Sequence, residues 1–113
     1  LPVSLDARID GGSLVVTAGE GGGAANLVLV TYDKTQSVPI ERGENAGTTV
    51  TYRHPVQGVQ TIGMWKGKSL TVELPDAEYA PKKGQGCAIL LQKVANGAPG
   101  EILGAVIVQH PGA

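Results

Sequence analysis

The sequence predicts an all-β fold, either an antiparallel β-sandwich or a partly open barrel of about eight or nine short strands. Apolar and polar residues alternate along most of the chain, which is the two-residue period of a half-buried strand. The 113 residues include 17 Gly and 7 Pro, together with many Val and Thr, and this composition favours strands and turns. No segment of helical length has the 3.6-residue apolar period.

The individual strands are indicated by short patterned runs between turn residues. Asp10-Gly11-Gly12 predicts a tight hairpin near the start of the chain, and Asn96-Gly97 predicts another near its end. An unbroken apolar centre in residues 26–32 predicts burial on both faces of that strand. Pro39 indicates an edge strand or a bulge. The strand-like segments are residues 3–9, 13–17, 26–32, 36–40, 48–54, 59–65, 69–74, 87–92 and 102–109.

Two segments lack a strand pattern. Residues 19–23 (Gly-Glu-Gly-Gly-Gly) are expected to form a flexible connection, because they lack the Lys-Ser/Thr ending and the following helix of a phosphate-binding loop. Residues 75–86 are the longest stretch without a clear period. Exposed lysines can form a weak basic face or simply keep sheet edges soluble, and the candidates are Lys66, Lys68, Lys82 and Lys83.

Length and composition limit the class of protein. A chain of 113 residues is long enough for one core, so we expect a single all-β domain over residues 1–113. Without an initiator Met or a signal sequence, it is expected to be a fragment or a processed part of a longer chain. A net charge of −1 argues against a nucleic-acid partner, and no apolar run approaches the roughly 20 residues of a membrane span.

The polar turn at residues 41–47 (Glu-Arg-Gly-Glu-Asn-Ala-Gly) holds the first candidate site. Arg42 can hold a carboxylate or phosphate through two hydrogen bonds, and Glu44 can act as a base. Turn chemistry explains the same residues, because Asn45 can bond its own backbone while Arg42 and Glu44 pair locally. We retain Arg42, Glu44 and Asn45 as candidate binding residues. A hydrolase that uses Glu44 with Arg42 or His54 would need Glu44 and His54 within hydrogen-bond reach.

Aromatic residues are few, so each is a candidate for the core or for an interaction surface. The chain has no Phe and a single Trp. Tyr52 and Trp65 are therefore added to the candidate binding residues. The alternative for Trp65 is that it anchors the core from the end of its strand.

Metal and thiol chemistry have little support in the sequence. The residues that could bind a soft metal lie on different predicted strands, without a known ligand spacing; they are His54, Met64, Cys87 and His110. The single Cys87 excludes an intramolecular disulfide and a thiolate-rich zinc site. It opens an apolar strand, which predicts a buried and unreactive thiol. We expect no cofactor, no metal and no catalytic residue, and keep a ligand- or metal-binding module as an alternative.

Several motifs resemble one known family. They are Arg42-Gly-Glu-Asn-Ala-Gly47, Val50-x-Tyr52, Gly63-x-Trp65-x-Gly67, residues 86–92 and residues 99–105. From about Leu27 onward the chain is similar to the C-terminal part of the DUF1223 family of secreted bacterial proteins. The resemblance implies an all-β domain that follows a thioredoxin-like domain with a Cys-x-x-Cys-type motif, and it implies a periplasmic or secreted location. Nothing in this chain matches the thioredoxin-like part.

The main functional hypothesis is an accessory β-sandwich without an active site of its own. It would pack on the thioredoxin-like domain or on a partner protein. The hypothesis predicts that the domain by itself exposes an apolar patch larger than a few hundred Å². The alternatives are the ligand- or metal-binding module and the hydrolase that uses Glu44.

Overall fold

The computed structural model describes residues 1–34, 37–39, 49–51 and 56–109. Within them the chain forms nine strands and one short helix, which confirms the all-β fold class. In chain order the elements are β1 (Leu5–Asp10), β2 (Ser13–Ala18), β3 (Ala25–Asp33), β4 (Ser37–Pro39), β5 (Thr49–Thr51), β6 (Val56–Trp65), β7 (Leu70–Leu74), α1 (Asp76–Tyr79), β8 (Gln85–Ala95) and β9 (Ala98–Val108).

Seven of the described strands form two antiparallel sheets. The three-stranded sheet has the order β1-β2-β7, and the four-stranded sheet has the order β6-β3-β8-β9. β4 and β5 pair with each other as a separate two-stranded unit, and residues 41–47 lie between them in the sequence. A backbone hydrogen bond from Val3 N to Leu103 O, 2.8 Å long, joins the two sheets on the side where β1 approaches β9.

The core fills the space between the inner faces of the two sheets. Alternating residues of each strand point into it, as the period of two requires. Aliphatic side chains dominate because the chain has no Phe. The largest fully buried side chains are Trp65, Leu14, Leu27, Ile89, Leu91, Val16 and Cys87.

Both hairpins that the turn residues predict are present. Gly11 and Gly12 have φ values of 58° and 85°, and Asn96 and Gly97 have φ values of 55° and 77°. Positive φ at both central residues matches the right-handed twist of the flanking strands, which is why Asn and Gly are favoured there. The second hairpin is longer than predicted, since β8 extends to Ala95 and β9 starts at Ala98.

The segment without a clear period, residues 75–86, contains the one-turn helix α1. Its Tyr79 is buried, and the phenol donates a hydrogen bond to Gly12 O at 3.4 Å. The segment thereby covers one end of the core. In the described part of the chain no helix has the length and apolar character needed to cross a membrane.

Candidate functional site

The outer face of the four-stranded sheet is apolar and open to solvent. Val59 is 67% exposed, Met64 is 69% exposed and Ile107 is 54% exposed. These residues lie in the register positions that alternate with the core residues of the same strands. We name this surface the apolar face; it comprises Val28, Val30, Val56, Val59, Met64, Ala88, Leu90, Val94, Ile102, Ala105 and Ile107.

No outward-facing position that has a register partner on these four strands carries a charge. The strands contain only three charged residues, Asp33, Lys93 and Glu101. Asp33 accepts a hydrogen bond from Gln57 Nε2 at 2.8 Å, and Lys93 lies 3.9 Å from Glu101. Asp33 lies at a register position that alternates with those of the apolar face, whereas Lys93 and Glu101 lie where the β8–β9 register shifts. The uncharged character therefore extends across all four strands.

The three-stranded sheet has the opposite kind of outer surface. In β1, apolar residues on the core side alternate with the exposed residues Asp6, Arg8 and Asp10. In β7, Thr71 and Glu73 are exposed. Such charged outer faces are what a solvated antiparallel sheet normally presents. The two sheets of one domain thus differ, and only the four-stranded sheet has the surface expected of an interface. Single exposed apolar residues are ordinary, whereas a continuous group marks an interaction site.

Two shallow depressions indent the apolar face. One, of about 190 Å³, lies between β6 at Val59 and the β8–β9 turn at Pro99. The other, of about 170 Å³, lies beside Met64 and Lys66. Pockets for small ligands and cofactors usually have volumes of about 300–1,000 Å³. These two depressions suit side chains of a partner better than a substrate or a cofactor.

Of the predicted binding residues, Trp65 is the one whose side chain the structure describes. Its indole is 1% exposed and belongs to the core, and Nε1 donates a hydrogen bond to Gly19 O at 2.8 Å. Buried in this way, the ring offers almost no surface to a partner. The other predicted binding residues lie outside the described residues; they are Arg42, Glu44, Asn45 and Tyr52.

The glycine-rich loop, residues 19–23, packs on this indole instead of forming the free connection expected. Gly21 N donates to Gly67 O at 3.0 Å, and Gly19 N donates to Ser4 O at 2.9 Å. A Cβ atom at Gly21 would lie 2.9 Å from Val3 Cγ2 and 3.2 Å from the Trp65 ring. The absence of a side chain at Gly21 thus permits the close approach of the loop to the core.

Cys87 is completely buried, as predicted from its apolar strand. Burial raises the pKa of its thiol, which keeps the group protonated and unreactive near neutral pH. Cys87 belongs to the core while Met64 belongs to the apolar face, so these two soft ligands lie on different sides of one sheet. The described residues contain no group of three His, Cys, Asp or Glu side chains that could hold a metal ion. His54 and His110 lie outside those residues.

An exposed apolar patch was predicted but its location was not, although the sequence of the four strands carries a signal for it. Uninterrupted apolar runs predicted that β3 is buried on both faces, and Leu27, Val28 and Leu29 are indeed buried. Val28 belongs to the outer side of the sheet, where residues of the neighbouring strands surround it. Apolar residues at outward positions of β6, β8 and β9 repeat the pattern. The signal in the sequence is that four strands carry apolar residues on both faces; that these strands are neighbours is shown only by the sheet order.

Comparison with known proteins gives a family and a fold relative. A family model described as "Protein of unknown function (DUF1223)" matches residues 2–92. The match begins well before Leu27, and residues 99–105 lie beyond it. The crystal structure of a structural-genomics target protein from Agrobacterium tumefaciens is 35% identical to this chain, with a TM-score of 0.75. The alignment covers 95% of this chain and 46% of that chain, so this chain spans about half the length of the solved protein. No curated protein matches.

Proposed function

This chain belongs to the DUF1223 family, and we propose that it is a non-catalytic accessory β-sandwich whose apolar face docks on a second domain or protein. The observation that carries the proposal is the contrast between the two sheets. One outer face bears Asp6, Arg8, Asp10 and Glu73, whereas the other bears no charged residue at any outward position that has a register partner. Contact between apolar surfaces removes them from water, which is the main driving force for association.

The second domain that we propose is the thioredoxin-like domain implied by the family resemblance. It would lie in the same polypeptide or in a separate protein. In the solved relative, more than half of the chain lies outside the region aligned with this one. The part of the relative outside the alignment is longer than the aligned part, which is long enough for a further domain. On the resemblance alone we also propose a periplasmic or secreted location, which fractionation of the source cells tests.

The energetic basis of docking is the burial of residues that the isolated domain leaves in water. Complete burial of a Val, Ile or Met side chain contributes about 1.5–3 kcal/mol. Val59, Met64 and Ile107 are each more than half exposed, so docking can still gain most of that contribution at each position. Only part of this gain becomes affinity, because association also costs translational, rotational and side-chain entropy.

Site-specific photo-crosslinking in the source cells tests the proposal. A photoreactive phenylalanine analogue is placed at Val59 in one variant and at Thr71 in a matched control. Both positions are exposed and lie on edge strands, but they belong to different sheets. We expect one defined adduct from position 59, within the same polypeptide or with one partner, and none from position 71.

A further substitution on the apolar face makes the test specific. Val94→Glu places a charge on this face without changing the reactive position, and we expect it to remove the adduct from position 59. Equal labelling from positions 59 and 71, or no adduct from either, would contradict the docking function. The hydrolase that uses Glu44 stays a separate prediction, because Glu44 and His54 lie outside the described residues.

A further inference from the structure

The two depressions of the apolar face lie next to each other, and we treat them together as one groove. Both are lined by Asn26 and Val94, so they meet on β3 and β8 at the same end of the sheet. Each depression spans β8, β3 and β6, and the groove runs along these strands from the β8–β9 turn at Pro99 to Lys66. We call it the Asn26 groove.

The dimensions of the Asn26 groove match a short extended segment. The two depressions are displaced along the strands, by about two residues on β3 and about five on β6. An extended chain advances about 3.3 Å per residue, so a segment of roughly three to five residues reaches from one depression to the other. The volumes of about 190 and 170 Å³ at its two ends suit one side chain each.

The Asn26 side chain is an open hydrogen-bonding group within this apolar surface. Its amide makes no hydrogen bond to any residue that the structure describes. Gln92, directly opposite on β8, is already engaged, because its Nε2 donates to Gly100 O at 3.0 Å. A partner that covers Asn26 without pairing its amide would lose roughly tenfold or more in affinity. The backbone N–H and C=O of a peptide supply both kinds of hydrogen-bonding partner.

Lys66 places a positive charge at one end of the groove. It is exposed, and no carboxylate in the described part of the chain lies within ion-pair distance of it. Lys93, which lines the groove near its other end, has Glu101 as its ion-pair partner. The unpaired cation at one end therefore favours a negative group on the occupant at that end.

From these three features we propose that the Asn26 groove binds an extended peptide segment of the docking partner. The segment places aliphatic side chains in the two depressions and pairs a backbone amide with Asn26. It carries an acidic side chain or a terminal carboxylate beside Lys66. A lipid surface fits less well, because acyl chains offer no hydrogen bond to Asn26. The proposal rests on the docking function of the apolar face and identifies the chemistry that the face recognises.

A random heptapeptide library displayed on phage, selected on the complete 113-residue chain, tests this chemistry. We expect selected peptides to combine two aliphatic residues with Asp or Glu on one side. Lys66→Glu should replace that acidic preference with Lys or Arg. Lys68→Glu is the matched control, because Lys68 is exposed, has the same charge and lines neither depression. It should leave the preference unchanged.

The role of Asn26 is measured with a synthetic peptide taken from the selection. Asn26→Leu keeps a side chain of similar size but removes the amide, and we expect at least a tenfold weaker affinity, about 1.4 kcal/mol. Lys66→Glu changes an exposed residue and should therefore fold, so the peptide preference can still be tested if Asn26→Leu fails to fold. Selection without a common pattern, equal preferences in the Lys66 and Lys68 variants, or unchanged affinity in Asn26→Leu would overturn the proposal. The proposal would also be overturned if Asn26→Leu bound phosphatidylcholine vesicles more tightly than the unaltered chain does, because the face would then recognise a lipid surface.

The two experiments fail in distinguishable ways. Crosslinking from position 59 without a peptide preference would leave the docking function in place and remove the peptide groove. A peptide preference without crosslinking would retain the groove but remove docking of the apolar face in the cell.

Discussion

Replacing Trp65 by Phe is expected to lower the free energy of unfolding by about 2–3 kcal/mol. The indole is 1% exposed, and its Nε1 donates to Gly19 O at 2.8 Å. Phe keeps a six-membered ring but leaves the space of the pyrrole ring empty. Truncation of a core Trp or Phe to Ala costs about 3–5 kcal/mol, so this smaller loss of volume should cost about 1–2 kcal/mol. The lost hydrogen bond adds about 1 kcal/mol.

The expected change is large enough to measure by thermal unfolding. The entropy of unfolding is about 2.1 cal/mol/K per residue near 60 °C. For a chain of 113 residues, 1 kcal/mol then corresponds to about 4 °C in Tm, and the variant should melt about 8–13 °C lower. Far-UV circular dichroism is the appropriate signal, because Trp65 is the only Trp and the variant loses tryptophan fluorescence.

Met64→Leu provides the control, since Met64 precedes Trp65 on β6 but is 69% exposed. It should change stability by no more than about 0.5 kcal/mol. If Trp65→Phe has an equally small effect, or if acrylamide strongly quenches Trp65 fluorescence in the folded protein, the indole is not part of the core. The alternative that Trp65 contacts a partner would then regain support.

Two further predictions concern close packing and pH. Gly104→Ala should cost about 1–3 kcal/mol in urea unfolding, because its Cβ would lie 2.7 Å from Val3 O, whereas Gly58→Ala, with nothing within 4 Å, should be near neutral. Equal effects would refute the packing argument. Burial raises the pKa of the Cys87 thiol, so the folded state keeps this proton at a pH where the unfolded chain loses it. The contribution of this thiol to the free energy of unfolding is fully present below about pH 8.5 and decreases as the pH rises further. Cys87→Ala should remove that slope between about pH 8.5 and 9.5, and parallel pH profiles of the variant and the unaltered chain would contradict it. Burial and then Asp76 and Cys87 raise the pKa of Tyr79, which adds a second loss of stability only above about pH 10.

The fold could be predicted largely from local patterns, because turns and strand periods depend on neighbouring residues. Asp10-Gly11-Gly12 and Asn96-Gly97 indicated hairpins that the structure contains, since Asn and Gly tolerate the positive φ that these turns require. The role of the glycine-rich loop could not be predicted in the same way. Its contact with Trp65 joins residues more than 40 positions apart, and no local pattern encodes such a contact.

The candidate site was harder to predict, because the polar residues 41–47 dominated the functional interpretation of the sequence. Polar side chains in a turn suggest chemistry, whereas valines in a strand suggest a core. Val59 fits the pattern of an ordinary strand residue, and Met64 drew attention only as a soft-metal ligand, although both are among the most exposed apolar side chains of the described chain. Arg42 and Glu44 lie outside the described residues, so their binding role stays a prediction.

Four properties could be inferred from the sequence alone: the all-β class, the two hairpins, the burial of Cys87 and the absence of any disulfide within the chain. These properties follow from period, turn chemistry and the count of one Cys. Which apolar surface remains open to solvent depends on how the two sheets pack, and the sequence does not show this. When both faces of a strand are apolar, alternation cannot distinguish a face covered by a second sheet from one left in water. The sheet order β6-β3-β8-β9 does so, because the three-stranded sheet packs on one side and no described element covers the other.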